Sequence, residues 1–233
     1  MKVVSLFSGA GGLDLGFVMA GHTIVWANDM FEDAVKTYRK NIGDHIVQKD
    51  IKDVPVSDIP EADIIIGGFP CQGFSVANTK RNEQDERNGL YKELVRVIGA
   101  KKPKFFVAEN VKGLTNLSGG KVFRMILSDF SSLGYSVSYK ILNAADYGVP
   151  QTRARVIIVG VRNDIDFEYS FPDPVCDKEG KNGLKRWVSV REALAVVPDP
   201  DKPNDLCNHT YSKYKLNFNG YIGHRPLDPD KPA

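Results

Sequence analysis

Cysteine is scarce in this chain of 233 residues: the three thiols, at 71, 176 and 207, stand far apart and none belongs to a CxxC pair. Neither a disulfide framework nor a thiolate zinc site fits that spacing, so reduced thiols and no metal are expected. No apolar run is long enough to cross a membrane. The opening MKVVSLFSGAGG, with one lysine and a short apolar stretch broken by serine and glycine, does not read as a signal peptide. A cytoplasmic protein without a membrane partner is expected. An excess of charge of one sign is also missing. The formal net charge of +2 does not by itself mark a nucleic-acid binder, although KKPK at 101–104 is a candidate phosphate-contact cluster. Internal repeats and low-complexity tracts are absent, and so is a GxGxxG fingerprint. In GAGGLD, Asp14 stands where the third glycine would be, which argues against a nicotinamide dinucleotide.

What is present is ordinary for a globular domain: 42% hydrophobic and 26% charged residues, over a length that allows one sizeable core or one core plus a partial second unit. Up to about residue 162 short apolar strands alternate with helices. KVVSLF, TIVWAN, HIVQKDI, ADIIIGGF, KFFVAENV, YSVSYKIL and ARVIIVGV read as strands. GGLDLGFVMAG, a segment with Phe31, Ala34, Val35, Tyr38 and Ile42 at helical spacing, LYKELVRVIGAKK, and a stripe of Val122, Phe123, Ile126, Phe130 and Leu133 read as helices. Asp29 and Glu32 are placed as a capping pair for the second helix. The pattern predicts an α/β fold with a mostly parallel, doubly wound sheet. From Phe171 the texture changes: eight of the thirteen prolines lie in the last 62 residues, and only SVREALAVV still reads as a helix. The expected division is a first domain over 1–170 and a loop-rich segment over 171–233.

In a doubly wound sheet, ligands gather beyond the carboxyl ends of the strands. The first end, FSGAGGLD, offers Gly9, Gly11 and Gly12 for a tight turn that lets a ligand approach backbone at a helix start. The second ends at Asn28 and Asp29, whose carboxylate suits ribose hydroxyls or a helix cap. The third ends at Asp50, placed to meet an adenine amino group. Together they suggest an adenosine-containing cofactor without a pyrophosphate. The fourth is GGFPCQGFS, which carries Cys71 in a glycine-rich loop, as a small core thiol or as a nucleophile. The fifth is AENV, whose Glu109 and Asn110 are expected beside Cys71, Glu109 as a candidate acid. Arg153 and Arg155 stand two apart at the start of a strand, where both can point to one face and neutralise Glu109 or grip a carbonyl or phosphate.

Taken in order, LFSGAGGLDLGF, GGFPCQGFS, AENVKGL and QTRARV resemble the DNA cytosine-5 methyltransferases, bacterial modification enzymes above all. The resemblance is dense over residues 2–162. It implies a Rossmann-like methyltransferase fold that binds S-adenosylmethionine and acts on a cytosine flipped out of double-stranded DNA. Phe7, Gly9, Gly11, Gly12 and Leu13 would lie along the cofactor, with Met30 and Pro70 in the same group. Asp29 would hold the ribose, and Asp50 with Ile51 would meet the adenine. Cys71 would attack C6 of the base, Glu109 would stabilise charge at N3, and Arg155 would contact O2 while holding Glu109. Asn110 and Arg153 complete the catalytic group, Arg153 by helping the thiol ionise from its reference pKa of about 8.5. SVANTKRNEQDERNGLY resembles the family's mobile catalytic loop, so Gln72, Ser75, Lys80, Arg81 and Arg87 are candidate DNA contacts.

The resemblance stops near the other end. Family members continue into a target-recognition region and a final asparagine-valine-proline segment, and YIGHRPLDPDKPA resembles the phrase leading into them. A second polypeptide supplying the remainder, or a truncated product, is the expectation. Three rival functions share parts of the pattern. A tRNA cytosine-5 methyltransferase would keep the same nucleophile and cofactor site, and a non-catalytic module would only bind DNA or a partner. A nicotinamide oxidoreductase would leave Cys71 and Arg155 unexplained.

Overall fold

Alternation of period two runs through the central strands and decides how the layers form. In the computed structural model, which describes residues 1–70, 89–181, 183–198 and 230–232, strand β1 (Lys2–Leu6) sends Val4 and Leu6 into one core and Val3 into another. Strand β4 (Ile64–Gly67) does the same, with Ile65 on the first side and Ile64 and Ile66 on the second. Strands with apolar side chains on both faces must be covered on both faces. Helices α1 (Gly12–Met19) and α2 (Glu32–Asn41) contribute Leu13, Phe17, Val35 and Tyr38 to one cover. Helices α3 (Leu90–Lys101) and α4 (Lys121–Ser132) supply Leu94, Ile98, Ile126 and Phe130 to the other.

The remaining strands of the sheet are β2 (Thr23–Asp29), β3 (Ile46–Gln48), β5 (Phe105–Val111), β6 (Tyr135–Asn143) and β7 (Ala154–Arg162). The seven lie in the order β3-β2-β1-β4-β5-β7-β6. Pairing is parallel from β3 through β5 and antiparallel between β5 and β7. The chain runs outward from β1 to β3, then returns to place β4 on the other side of β1, so the topological switch lies between β1 and β4. Phe106 of β5 stands opposite Gly160 of β7, and a Cβ on that glycine would lie 1.9 Å from the Phe106 ring. The ring therefore crosses over Gly160 and continues into contacts with Phe130 and Tyr135.

Two compact units result. The first comprises 1–142 and 155–171, and the second 143–154 and 172–233. The second takes in 143–154 because Asp146 binds the segment beyond Pro172: its carbonyl accepts from Val175 N–H at 3.0 Å and its carboxylate from Trp187 Nε1 at 2.9 Å. That unit also holds the short paired strands β8 (Cys176–Asp177) and β9 (Lys185–Arg186). Its helix α5 (Val190–Leu194) opens on a capping box between Ser189 and Glu192. No helix among the described residues is long and apolar enough to cross a membrane.

Candidate active site

The carboxyl ends of β1 to β4 meet around one cavity. Phe7, directly after β1, borders it with a left-handed backbone (φ 54°) that costs a non-glycine residue about 1–2 kcal/mol. The turn that follows is tied down on the β2 side, where Ser8 N–H donates to Asn28 O at 2.9 Å and Gly9 N–H to Asp29 Oδ2 at 2.8 Å. Gly9 is itself left-handed (φ 55°). Gly11 answers to packing as well as to conformation: a Cβ there would lie 2.8 Å from Ile42 Cγ1 and 2.9 Å from Tyr38 Cδ2. Gly12 opens α1, and Leu13 packs into the core beneath it. These four residues shape the turn, while Phe7, Asp29, Met30, Asp50, Ile51 and Pro70 border the cavity itself.

Asp29 is 9% exposed, with one carboxylate oxygen on Gly9 N–H and the other on Phe31 N–H at 2.9 Å. The expected capping pair does not form, because helix α2 begins two residues later in the chain than that pairing requires. Phe31 is its extended N-cap residue, and Glu32 pairs with Lys36 on the surface. The extended backbone takes Phe31 off the helical stripe, so its ring is 62% exposed and borders the cavity, as does Met30 at 53%. Asn28 carries the third strand end inward, its Nδ2 donating to the carbonyls of Val47 at 3.1 Å and Lys49 at 2.8 Å. Asp50 caps the following turn by accepting from Lys52 N–H at 3.0 Å, and Ile51 is buried. The cavity thus offers two exposed apolar side chains, a buried one, and two carboxylates whose orientation is set by backbone donors. That set of groups fits an adenosine group, with apolar faces for the base and acceptors for hydroxyl and amino hydrogens. Phe31, Lys49, Gly68 and Leu90 also border the cavity. Lys49 follows a strand end, Gly68 stands within GGFPCQGFS, Phe31 is expected on the helical stripe and Leu90 is distant in sequence, so residue type marks none of them for the cavity.

Gly68 is the wall shared with a second group of residues: its Cβ position lies 3.2 Å from Glu109 Oε2. Glu109 Oε1 is 2.9 Å from Arg155 Nε, with the two side chains 27% and 24% exposed. The pair spans β5 and β7, where Arg155 stands opposite Val111. Asn110, 2% exposed, donates from Nδ2 to Phe69 O at 2.9 Å and accepts Val111 N–H at 2.8 Å. Glu109 and Asn110 are therefore held against the backbone that leads into Cys71. Arg153 belongs to the second unit, where its N–H donates to Asn143 Oδ1 at 3.0 Å. Cys71, Gln72, Ser75, Lys80, Arg81 and Arg87 lie outside the described residues. Among the described residues no group of three or more His, Cys, Asp or Glu side chains could hold a metal ion.

Beneath the glycine turn lies a polar cluster that the sequence did not disclose. Asp14, fully buried on α1, accepts from Ser5 Oγ and from the Tyr38 hydroxyl, each at 2.7 Å. Burial pushes its carboxyl above the ordinary range against those two hydrogen bonds, and raises the Tyr38 phenol further above its own. With the phenolic proton directed to Asp14, His45 Nε2, 3.0 Å from the Tyr38 oxygen, is the donor in that contact.

A family model for C-5 cytosine-specific DNA methylases matches residues 1–219, and the chain belongs to that family. It is 48% identical over 207 residues to the Type II methyltransferase M.NgoFVII of Neisseria gonorrhoeae, covering 88% of this chain and 55% of that protein. It is 47% identical over 233 residues to the Type II methyltransferase M.BspRI of Lysinibacillus sphaericus, covering 85% and 54%. The chain thus spans about half the length of these curated relatives. The solved structure of the S. pombe Dnmt2 methyltransferase superposes with a TM-score of 0.66 over 86% of this chain and 62% of that one. At 23% identity this is a likeness of fold. The Rossmann-like, mostly parallel architecture matches the expectation from the sequence.

Proposed function

We propose that this chain carries the cofactor-binding and catalytic face of an enzyme that methylates C5 of cytosine in duplex DNA, in a restriction-modification setting. The observation that carries the reading is the adjacency of two sites across Gly68. On one side is an apolar and acidic cavity suited to adenosine, and on the other a Glu109–Arg155 pair beside the backbone entering Cys71. Asp29, its orientation fixed by Gly9 and Phe31, would accept the ribose hydroxyls of S-adenosylmethionine. Asp50 and Ile51 would meet the adenine, with Phe31 and Met30 covering its faces. When bound, the cofactor supplies an electrophilic methyl group.

C5 of cytosine is a poor nucleophile until a group adds at C6. The Cys71 thiolate would form that bond, turning the ring into an enamine whose electron pair is directed to C5. Glu109, giving a proton at N3, would neutralise the charge that addition builds there, and Arg155 would contact O2 while holding the Glu109 carboxyl. After C5 is methylated, loss of its proton to water re-forms the C5–C6 double bond and expels Cys71 as thiolate, and the N3 proton returns to Glu109. Extruding the base costs a few kcal/mol, offset by contacts to it in the site. The relatives carry nearly as much sequence again, and site-specific transfer is proposed to require that length, on this polypeptide or a second one. The relatives are named as Type II methyltransferases and the family model as a DNA methylase, which favours DNA over tRNA as substrate.

The test is transfer of a labelled methyl group from S-adenosylmethionine to duplex DNA and to tRNA. It uses the chain joined to the remaining length of a Type II relative, followed by nucleoside analysis. The expected product is 5-methylcytosine in DNA. Methylation of tRNA alone, or of N4 of cytosine, would contradict the proposal.

A further inference from the structure

The cluster under the glycine turn has no place in the chemistry proposed above, yet it connects to the cavity by an unbroken series of hydrogen bonds. Asp14 accepts from Ser5 Oγ at 2.7 Å, and Ser5 Oγ accepts from Ser8 Oγ at 2.9 Å. Ser8 Oγ also receives Asn28 N–H at 3.3 Å, and Ser8 N–H donates to Asn28 O at 2.9 Å. Asn28 and Asp29 then border the cavity. From its other oxygen Asp14 holds Tyr38, whose ring packs where a Cβ on Gly11 would fall. The acid thus secures both ends of the turn that begins at Phe7 and closes at Gly11.

A carboxylate is a costly choice for this position. Asp14 is fully buried on α1, and Leu13 and Phe17 of the same helix face the core as apolar groups. An apolar side chain there would avoid the desolvation of a charge. What a carboxylate adds is direction: both its oxygens are satisfied, and a fully satisfied buried network specifies one arrangement of its members. The arrangement it specifies contains an unfavourable element. Phe7 is a non-glycine residue at φ 54°, one of three such residues among those described, and it borders the cavity. Such a conformation persists only when its surroundings over-determine it.

We propose that Asp14 is a positioning residue. Acting through Ser5 and Ser8 on one side and Tyr38 on the other, it locks the Phe7–Gly11 turn in the strained form that builds the cofactor wall. The functional half of this inference rests on reading the cavity as the S-adenosylmethionine site. The turn half does not, and the experiment separates them.

Hydrogen exchange by mass spectrometry on the full 233-residue chain reads the turn without any ligand, and calorimetry with S-adenosylmethionine reads the cavity. Asp14→Ala should speed exchange in peptides covering residues 6–11 by about tenfold or more, the scale of one lost charge-assisted hydrogen bond. The core of β2 and β4 should keep its protection. The same variant should weaken S-adenosylmethionine binding by a similar factor. Asp14→Asn, which keeps an acceptor for Ser5, should restore both values most of the way. Ser8→Ala, which cuts only the Ser5–Ser8 arm and leaves Tyr38 on Asp14, should give a smaller change of the same kind, and the double variant should lose less than the sum of the two singles, because they share that arm. Wild-type exchange at the turn in Asp14→Ala would overturn the proposal. So would a uniform rise across the whole sheet with no rescue by Asn, since that is the mark of general packing. The predicted exchange pattern in a chain that binds no S-adenosylmethionine would instead overturn the cofactor reading and leave the turn lock standing.

Discussion

Replacing Asp29 by asparagine changes one atom of the side chain and separates two roles assigned to one carboxylate. Asp29 Oδ2 accepts Gly9 N–H at 2.8 Å and Oδ1 accepts Phe31 N–H at 2.9 Å. Asparagine keeps one acceptor and turns an NH2 group toward the other donor. One of the two backbone N–H groups then loses a bond to a charged partner, worth about 1.5–3 kcal/mol, and water can reach part of the turn to recover some of it. A loss of about 1–2 kcal/mol in folding stability is therefore expected, visible as a lower urea midpoint at unchanged slope. The variant also loses the carboxylate proposed to accept the ribose hydroxyls, so the Kd for S-adenosylmethionine should rise by about tenfold or more beyond any change in the folded fraction. Asp50→Asn is the control. Its carboxylate takes Lys52 N–H in an exposed turn, so its stability change should stay within about 0.5 kcal/mol while affinity still falls. Lower stability with unchanged affinity in Asp29→Asn would make Asp29 a turn clamp only. No change in either quantity would refute the reasoning for the whole cavity wall.

Two glycines should respond with opposite sign. Gly160→Ala drives a methyl group into the Phe106 ring and should destabilise by about 1–3 kcal/mol in thermal unfolding. Gly16→Ala, inside α1 with nothing within 4 Å of the added Cβ, should stabilise by about 0.5–1 kcal/mol. Glu109→Gln should lower the methylation rate by about a hundredfold with little change in cofactor affinity, as single-turnover kinetics alongside calorimetry would show. Loss of binding with chemistry intact would mean that the base and cofactor pockets have been exchanged. Burial pushes the Tyr91 and Tyr135 phenols up to about 12, so both keep their protons in the folded state above the ordinary tyrosine value of 10.0. Their contribution to stability is complete below pH 10 and is lost as pH rises through 12. Tyr135→Phe should therefore flatten the alkaline fall in unfolding midpoint, and an unchanged slope would contradict the shift.

The layers were legible because the strands declare both faces. Val3 and Val4, or Ile64 and Ile65, go to opposite cores, and that demands helices on each side. The cavity's place followed from strand ends, so Asp29 and Asp50 were found by position and Phe7, Met30 and Pro70 through the family resemblance. Phe31 fits the helical spacing yet stands outside the helix, because periodicity does not show where the first turn begins. In the sequence Asp14 reads only as a missing glycine. Its meaning depends on Tyr38, 24 residues away, and on a burial that no local pattern announces. The Glu109–Arg155 pair is one of the options the sequence leaves open, and the antiparallel β5–β7 register selects it by setting Arg155 opposite Val111 and within reach of Glu109.

The central claim is that Cys71 makes the bond that activates the base. Duplex DNA carrying 5-fluorocytosine at the target tests it directly, because fluorine cannot leave C5 as a proton does and the enzyme stays attached. With S-adenosylmethionine present, the chain completed by the remaining length of a Type II relative should give a denaturation-resistant adduct. Peptide mapping should locate that adduct at Cys71, and Cys71→Ala should give none. An adduct of equal yield in Cys71→Ala, or one mapped to another residue, would contradict the account.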